Sequence, residues 1–236
     1  MKYMGSKARI SKDISKIIND IILEKEIHIY IEPFVGGCNM IEHINCLTKI
    51  GIDNNEYLIS MWNSLKDGWI PPNEITKELY DDIKNNKEKY EKSLVSIVGF
   101  CATYNAKWFG GYAGIVHTKA NTIRNYYDES VRNILKQVPK IKNVNFKCGD
   151  YKKIKSTISN CLIYCDPPYE GTTKYKDEFN HEEFWQWVRN MSQNNIVLVS
   201  EYNAPADFEC IWSKELTTTL DKNSRKKDIE KLFKLK

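Results

Sequence analysis

The feature that most constrains the fold is a pair of short β-branched runs, each ending in an acid, with two glycines between them. Residues 27–32, IHIYIE, are followed by Gly36–Gly37, and residues 48–53, TKIGID, form the second run. Short runs rich in β-branched residues predict strands. With a helix predicted over 40–47, the order strand, glycine turn, helix, strand is the βαβ unit of a doubly wound parallel sheet.

A long interruption separates this unit from the rest of the sheet pattern. Residues 143–150, NVNFKCGD, and 161–165, CLIYC, again predict strands. Between them and the first unit, residues 63–140 contain charged helical segments and an aromatic–glycine loop, without an obvious parallel strand. The sequence therefore predicts an α/β protein with a Rossmann-like domain over 1–62 and 141–236. The segment 63–140 would be an inserted, mostly helical subdomain.

The motif Asp166-Pro167-Pro168-Tyr169 directly follows one of the predicted strands. Two prolines fix φ and remove backbone donors, so this turn is rigid. The Asp166 carboxylate and the Pro167 carbonyl are then fixed acceptors, which suits an exocyclic amino group with its two N–H donors. Tyr169 can stack on a planar ring. A planar, amino-bearing substrate is the ligand that this turn favours.

Asp53 ends the second predicted strand, 16 residues after Gly37. A carboxylate in that position can accept both hydroxyls of a ribose, as in other nucleoside-binding α/β folds. The alternative is that Asp53 caps the helix predicted over 55–66. The pattern G-x-G-x-x-G is absent, so a nicotinamide cofactor is not favoured.

The start of the chain, Lys2-Tyr3-Met4-Gly5-Ser6-Lys7, precedes isoleucines at helical spacing, which predict a helix over 6–24 with Ser6 as a candidate cap. This start is polar and lacks the apolar stretch of a secretory signal, so we expect a cytoplasmic protein in a bacterial cell or a phage-infected host. No run is long and apolar enough for a membrane helix.

Composition narrows the classes of partner. Lys and Arg number 35 against 31 Asp and Glu, so the formal charge is +4, which permits a nucleic-acid partner without requiring one. A hydrophobic content of 42% argues against a disordered chain. The seven cysteines lack C-x-x-C spacing and the four histidines are scattered, so we expect free thiols and no metal site.

Taken together, these motifs resemble the Dam-type family of DNA adenine-N6 methyltransferases. The resemblance covers nearly the whole chain and includes KYMGSK, EPFVGG, GID, WFGGYAG, CGD and DPPY, in the order of the alpha group of amino-methyltransferases. It implies a Rossmann-like methyltransferase sheet that uses S-adenosylmethionine, with the segment 63–140 as the target-recognition subdomain. The implied substrate is double-stranded DNA, and a separate restriction endonuclease would be a partner that the activity does not require.

The resemblance also implies roles for individual residues. Asp53 would hold the ribose, Asp150 would face the adenine end of the cofactor, and Asp166 would lie between the cofactor and the target base. Lys7 would approach the cofactor or the carboxylates, or it is simply a solvated lysine. The implied cofactor-binding residues are Tyr3, Lys7, Glu32, Pro33, Phe34, Gly36, Gly37, Asp53, Asp150, Tyr151 and Asp166. The implied catalytic residues are Asp166, Pro167, Pro168 and Tyr169.

The predicted reaction is direct methyl transfer to N6 of an adenine that has been flipped out of the duplex. Asp166→Ala is expected to abolish methylation and leave the protein folded. The candidate DNA contacts lie in the inserted segment and are Lys107, Trp108, Lys119, Asn121 and Arg124. The alternative for the aromatic residues of this segment is that they form the core of a small subdomain.

Two alternatives to DNA adenine methylation stay open at this point. The same chemistry could act on RNA adenine, on cytosine N4 or on a protein glutamine. A DNA-binding module that has lost catalysis is the other alternative, although the DPPY acid and the glycine turn are both intact.

Overall fold

The structure is a central β-sheet with helices on both faces. The computed structural model describes residues 1–3, 5–117, 122–169, 179–217 and 227–236. Within these ranges the strands are β1 (Ile29–Glu32), β2 (Thr48–Asp53), β3 (Ile115–His117), β4 (Ile123–Asn125), β5 (Val144–Cys148), β6 (Cys161–Cys165), β7 (Ile196–Glu201), β8 (Phe208–Thr217) and β9 (Lys227–Leu235).

Seven of these strands form the main sheet, in the order β5-β2-β1-β6-β7-β9-β8, and β3 and β4 form a separate antiparallel hairpin. Strand β1 pairs in parallel with β2 on one side and with β6 on the other. Strand β9 runs antiparallel to both β7 and β8. The strand order reverses between β1 and β6, and a crevice outside the carboxyl ends of these strands is where open α/β sheets bind ligands.

The helices pack on the sheet through apolar faces. They are α1 (Ser11–Glu24), α2 (Glu56–Lys66), α3 (Lys77–Asn85), α4 (Lys92–Cys101), α5 (Tyr126–Ile141) and α6 (His181–Ser192). Helix α1 contributes buried Ile14 and Ile18 to the hydrophobic cluster that also contains residues of α2, α4 and α5. Helix α6 contributes Phe184 and Val188 to a second cluster. The two clusters make a three-layer α/β fold, which confirms the predicted fold class.

Two predicted helices differ from the structure. Helix α1 begins at Ser11 and Ile10 is its N-cap, while the Ser6 hydroxyl instead accepts a hydrogen bond from the Asn39 side chain at 2.8 Å. The helix predicted over 40–47 is reduced to a single 3₁₀ turn, Ile41–His43. Asn19 on α1 explains the reduction, because its amide binds the His43 carbonyl and the Asn45 N–H, which an α-helix would have used internally.

The segment between α2 and β5 packs directly against the sheet layer. Helix α4 is almost wholly buried, and Val95, Val98 and Phe100 belong to the same hydrophobic cluster as Tyr30 of β1. Ile134 and Ile141 of α5 belong to it as well. The hairpin of β3 and β4 lies between α4 and α5 in the sequence, and its residues Ile115 and Ile123 are exposed. The division at residues 63–140 stays a prediction.

No helix in the described part of the chain is long and apolar enough to cross a membrane. Within the same ranges, no group of three or more His, Cys, Asp or Glu residues could hold a metal ion.

Candidate active site

Three predicted acids lie at the carboxyl edge of the parallel strands. Glu32 ends β1, Asp53 ends β2 and Asp166 follows β6. Glu32 is only 3% exposed and accepts a hydrogen bond from the Tyr30 hydroxyl at 2.9 Å. Burial, and to a smaller extent the charges of Asp166 and Asp53, raise the pKa of Glu32 well above its usual value. The edge of the sheet is therefore a buried, acidic surface that favours a cationic ligand.

Asp53 holds the glycine turn in place. Its carboxylate accepts the Gly36 N–H at 3.0 Å and the Asn55 N–H at 2.9 Å, although burial raises its pKa. Helix α2 is capped by Asn55, whose side chain accepts the Leu58 N–H at 3.1 Å, so Asp53 is not the cap. Each carboxylate oxygen has a second lone pair, which leaves Asp53 able to accept ribose hydroxyls.

The glycine turn is shaped by the first residues of the chain. Gly36 has φ +44°, and a Cβ added to it would lie 3.0 Å from the Tyr3 ring. A Cβ on Gly37 would lie 2.7 Å from the Asn39 amide nitrogen and 2.9 Å from Tyr3 Cβ. Tyr3 also packs on Phe100 of α4, with 5.4 Å between the ring centroids. Both glycines are thus needed for the close approach of Tyr3 to this turn.

The same amino-terminal segment carries Lys7 into the site. Lys7 is 8% exposed, and its ammonium lies 3.1 Å from Asp166 Oδ1 and 3.7 Å from Glu230 Oε1. It also lies 4.1 Å from the centroid of the Tyr169 ring, within the range of a cation–π interaction. The Tyr169 hydroxyl donates to Glu230 Oε2 at 2.7 Å. Lys7, Asp166, Tyr169 and Glu230 therefore form one connected cluster, which we call the tetrad.

Asp166 has a pKa of about 6 in this environment, against an ordinary value of 3.8. Burial is the largest cause and raises the pKa, and the charge of Glu230 adds to the increase. The Lys7 ammonium and the Tyr169 hydroxyl act in the opposite direction. Asp166 is consequently ionised at neutral pH and can serve as a hydrogen-bond acceptor there.

An aromatic wall lies beside the acids, at the ends of β1 and β5. Phe34 is half-buried, and its ring centroid is 5.4 Å from that of Tyr151 and 6.0 Å from that of Phe179. Asp150 precedes Tyr151 and accepts the Lys152 N–H at 2.8 Å. Pro33 is buried behind this wall. A partly exposed aromatic surface next to carboxylates can hold a purine and its ribose.

Glu230 is the one tetrad residue that the sequence analysis missed. It lies in β9, which returns antiparallel to β7, so the first residues of β9 reach the carboxyl edge of the parallel strands. The signal in the sequence is a glutamate between Ile229 and Lys231 in the run IEKLFKL, and the sequence alone does not fix how this run pairs. Pro167 is buried and Pro168 half-buried, between Asp166 and Tyr169.

The candidate DNA contacts fall into different environments. Lys107 is exposed, whereas Trp108 is half-buried, 4.7 Å from Phe100 and 5.5 Å from Tyr57 between ring centroids. A Cβ on Gly99 would lie 2.6 Å from the Trp108 ring, so helix and ring are in close contact. Arg124 forms a two-point ion pair with Glu129. Lys119 and Asn121 lie outside the described residues.

Comparison with known proteins shows the family of the chain. The family described as D12 class N6 adenine-specific DNA methyltransferase matches residues 3–96 and 82–188. The matched ranges include the amino-terminal motif, the glycine turn, Asp53 and the DPPY motif. The chain therefore belongs to the D12 class of N6 adenine-specific DNA methyltransferases. This confirms the resemblance seen in the sequence, and with it the use of S-adenosylmethionine as methyl donor.

Curated relatives are methyltransferases of similar description. The type II methyltransferase M.MjaIII of Methanocaldococcus jannaschii is 24% identical over 248 residues, which cover 88% of this chain and 85% of the relative. The type II methyltransferase M.FokI of Planomicrobium okeanokoites is 24% identical over 209 residues, covering 80% of this chain but only 31% of the relative. Among solved structures, the rRNA methyltransferase AviRa of Streptomyces viridochromogenes has a TM-score of 0.46 and 7% identity, covering 97% of this chain and 85% of its own.

Proposed function

We propose that this adenine-N6 methyltransferase acts on a specific site in double-stranded DNA and that the target adenine is flipped out to reach the tetrad. The observation that carries the proposal is the position of Asp166, Pro167 and Tyr169 at the reversal of strand order, with Lys7 beside the carboxylate. A base stacked in a duplex cannot reach a buried carboxylate, so the adenine has to leave the stack.

The residues present fit S-adenosylmethionine. This molecule would supply a methyl group on a cationic sulfonium, and a cation bound beside the buried acids Glu32 and Asp166 would favour their ionised forms, whose pKa values burial raises. Glu32 and the Gly36–Gly37 turn would line its methionine part, and Asp53 would accept its ribose hydroxyls. Phe34, Tyr151 and Asp150 would hold its adenine, beside the aromatic wall.

Asp166 and the Pro167 carbonyl would accept the two N–H groups of the adenine amino group. The nitrogen lone pair of adenine is delocalised into the ring, which makes the amine a poor nucleophile. Two fixed acceptors favour a more tetrahedral nitrogen and aim its lone pair away from the ring. Positioning of this kind is worth up to ~7–11 kcal/mol in model reactions. As the N–C bond forms and the S–C bond breaks, one N–H proton passes to an Asp166 oxygen, which is basic enough to take it.

Tyr169 would stack on the extruded base and recover part of the free energy of unstacking, which amounts to a few kcal/mol. Because the Lys7 ammonium lies over the Tyr169 ring, it has to shift when a base stacks on that face. Lys7 would then remain close to the site as a counter-charge for the acids.

The segment 63–140 is the proposed target-recognition region. Lys107 and Arg124 are its described basic candidates for DNA contact, and Arg124 would exchange Glu129 for a phosphate or a guanine edge. Lys119 and Asn121 remain candidates on the sequence alone. The contacts of Trp108 with Phe100 and Tyr57 favour a role in packing, so Trp108 is the weakest DNA-contact candidate.

The decisive experiment incubates the purified chain with labelled S-adenosylmethionine and with duplex DNA, RNA or protein in parallel. N6-methyladenine in the nucleosides of the duplex DNA alone is the expected result. Asp166→Ala should abolish it, and Asp207→Ala, at a half-buried aspartate paired with Arg189, serves as the matched control. Label in RNA, in cytosine or in glutamine would show that the substrate is not DNA adenine. A flat calorimetric titration with S-adenosylmethionine would indicate an inert DNA-binding module.

Sequencing N6-methyladenine in DNA from cells that express the chain would test the target site at the same time. Methylation of scattered adenines, without a common short sequence, would contradict site specificity. We also propose that the protein acts in the cytoplasm, where the DNA of a bacterial cell or of an infecting phage is located. Methyl transfer by the chain alone is expected, so activity in the absence of any restriction endonuclease is part of the same test.

A further inference from the structure

Glu230 is a buried carboxylate that contacts two other members of the tetrad, Tyr169 and Lys7. It is 8% exposed, and its two oxygens contact the Tyr169 hydroxyl at 2.7 Å and the Lys7 ammonium at 3.7 Å. Taking a carboxylate out of water is unfavourable, and well-packed apolar residues often replace a buried ion pair without loss of stability. The position of Glu230 therefore points to a role in the reaction rather than in folding.

We propose that Glu230 is a positioning residue. It holds Tyr169 and Lys7 in place, so that Asp166 can accept a hydrogen bond from the amino group of the target base, and this inference rests on the proposed function. The Tyr169 ring is fixed at two places, by the hydroxyl on Glu230 and by the Tyr202 ring, whose centroid is 4.7 Å away at an angle of 83°. A stacking surface held at both points loses little freedom when the base arrives.

Lys7 is the second residue that Glu230 contacts. In the structure its ammonium lies closer to Asp166 than to Glu230, at 3.1 Å against 3.7 Å. When the amino group of adenine takes Asp166 as acceptor, and its ring takes the face of Tyr169, the ammonium needs another carboxylate. Glu230 already forms an ion pair with Lys7, at 3.7 Å. It can hold Lys7 without removing it from the site.

Glu230→Gln tests this role, since the amide preserves size and an acceptor for Tyr169 but removes the charge that holds Lys7. We expect kcat to fall about 10- to 100-fold, as for other small misplacements of reacting groups. The dissociation constant of S-adenosylmethionine should change little, because Glu230 contacts the base side of the tetrad. Glu209→Gln, at an exposed glutamate of β8 paired with Lys234, is the matched control and should keep full activity.

The pH profile separates positioning from a structural role. The negative charge of Glu230 raises the pKa of Asp166, so Glu230→Gln should move the acidic limb of kcat/KM to lower pH. Structural damage alone would lower activity and Tm without that shift. The groups whose charges act on or respond to Asp166 are Lys7, Glu32, Tyr164, Cys165, Tyr169 and Glu230.

Tyr169→Phe supplies a second, independent test. If Glu230 acts partly through the Tyr169 hydroxyl, Glu230→Leu, which removes the acceptor as well as the charge, should reduce kcat less in the Tyr169→Phe background than in the wild type. Wild-type kcat and an unshifted acidic limb in Glu230→Gln would overturn the inference, as would strictly additive effects of Glu230→Leu and Tyr169→Phe. Failure of the wild-type chain to methylate any DNA adenine would instead overturn the proposed function.

Discussion

Asp166→Asn should make the protein more stable while it removes the activity. The side chain of Asp166 is 18% exposed, and its pKa of about 6 lies about 2.2 units above the ordinary value of 3.8. At 1.36 kcal/mol per unit, the folded state loses about 3 kcal/mol by holding the ionised form at pH 7. A neutral amide avoids this loss, although its NH₂ group beside Lys7 reduces the gain, so we expect an increase of about 1–3 kcal/mol in the free energy of unfolding.

The pH dependence gives the prediction its sign. An acid whose pKa is raised in the folded state is destabilising above that pKa and neutral below its unfolded pKa. The advantage of Asp166→Asn should therefore be full above pH 6, shrink between pH 6 and 4, and vanish near pH 4. Urea unfolding at several pH values measures it, and Tm should rise by about 2–4 °C per kcal/mol. Methyl transfer should fall at least ~100-fold.

Asp207→Asn is the matched control with the opposite sign. Arg189 holds the pKa of Asp207 below its usual value, so the ionised form is favourable and the substitution should not stabilise the protein. The reasoning about Asp166 is refuted if Asp166→Asn lowers the free energy of unfolding at pH 7, or if a gain in stability persists unchanged at pH 4.

The remaining predictions concern the acidic limb, the glycine turn, the aromatic wall and the DNA surface. The kcat/KM of the wild-type protein should fall as the pH drops through about 6, because protonated Asp166 loses its negative charge and becomes a weaker hydrogen-bond acceptor. A flat profile down to pH 4.5 would contradict this. Gly37→Ala should lower the free energy of unfolding by ~1–3 kcal/mol in a urea titration, whereas Gly149→Ala, whose added Cβ meets open space, should stay within ~0.5 kcal/mol; equal effects would refute the packing argument. Phe34→Ala should weaken S-adenosylmethionine binding by calorimetry about 2- to 12-fold, the equivalent of an aromatic contact of ~0.5–1.5 kcal/mol, and an unchanged affinity would remove Phe34 from the site. Arg124→Ala should weaken DNA binding in a gel-shift series and reduce the salt slope by about one, while Arg189→Ala on α6 should not; identical behaviour of the two variants would place the DNA elsewhere.

The parallel strands β1, β2 and β6 could be predicted from the sequence because each is short, mostly buried and contains isoleucine. Residues 48–53 were predicted to form a strand and do so as β2, and the acids at the ends of β1 and β2 follow from the register of parallel pairing. Glu32 and Asp53 could be placed at one edge for the same reason. Local pattern and global fold agree in this part of the chain.

Contacts between distant segments could not be predicted in the same way. The helix expected over 40–47 fails because Asn19, more than twenty residues earlier, takes its backbone groups. Tyr3 was expected to pack on the cofactor, and its packing on the Gly36–Gly37 turn had no local signal in the sequence. Glu230 could not be placed from the sequence, because the direction in which β9 runs, and therefore which of its ends reaches the site, depends on its pairing with β7.

The tetrad joins residue 7 to residue 230, across almost the whole chain. Contacts between such distant segments form late in folding, since the loop that they close is long. During synthesis, the acids of β1, β2 and β6 would be exposed long before their amino-terminal lysine and carboxy-terminal glutamate could meet. Lys7 and Glu230 can therefore meet only after β9 has been synthesised and has entered the sheet.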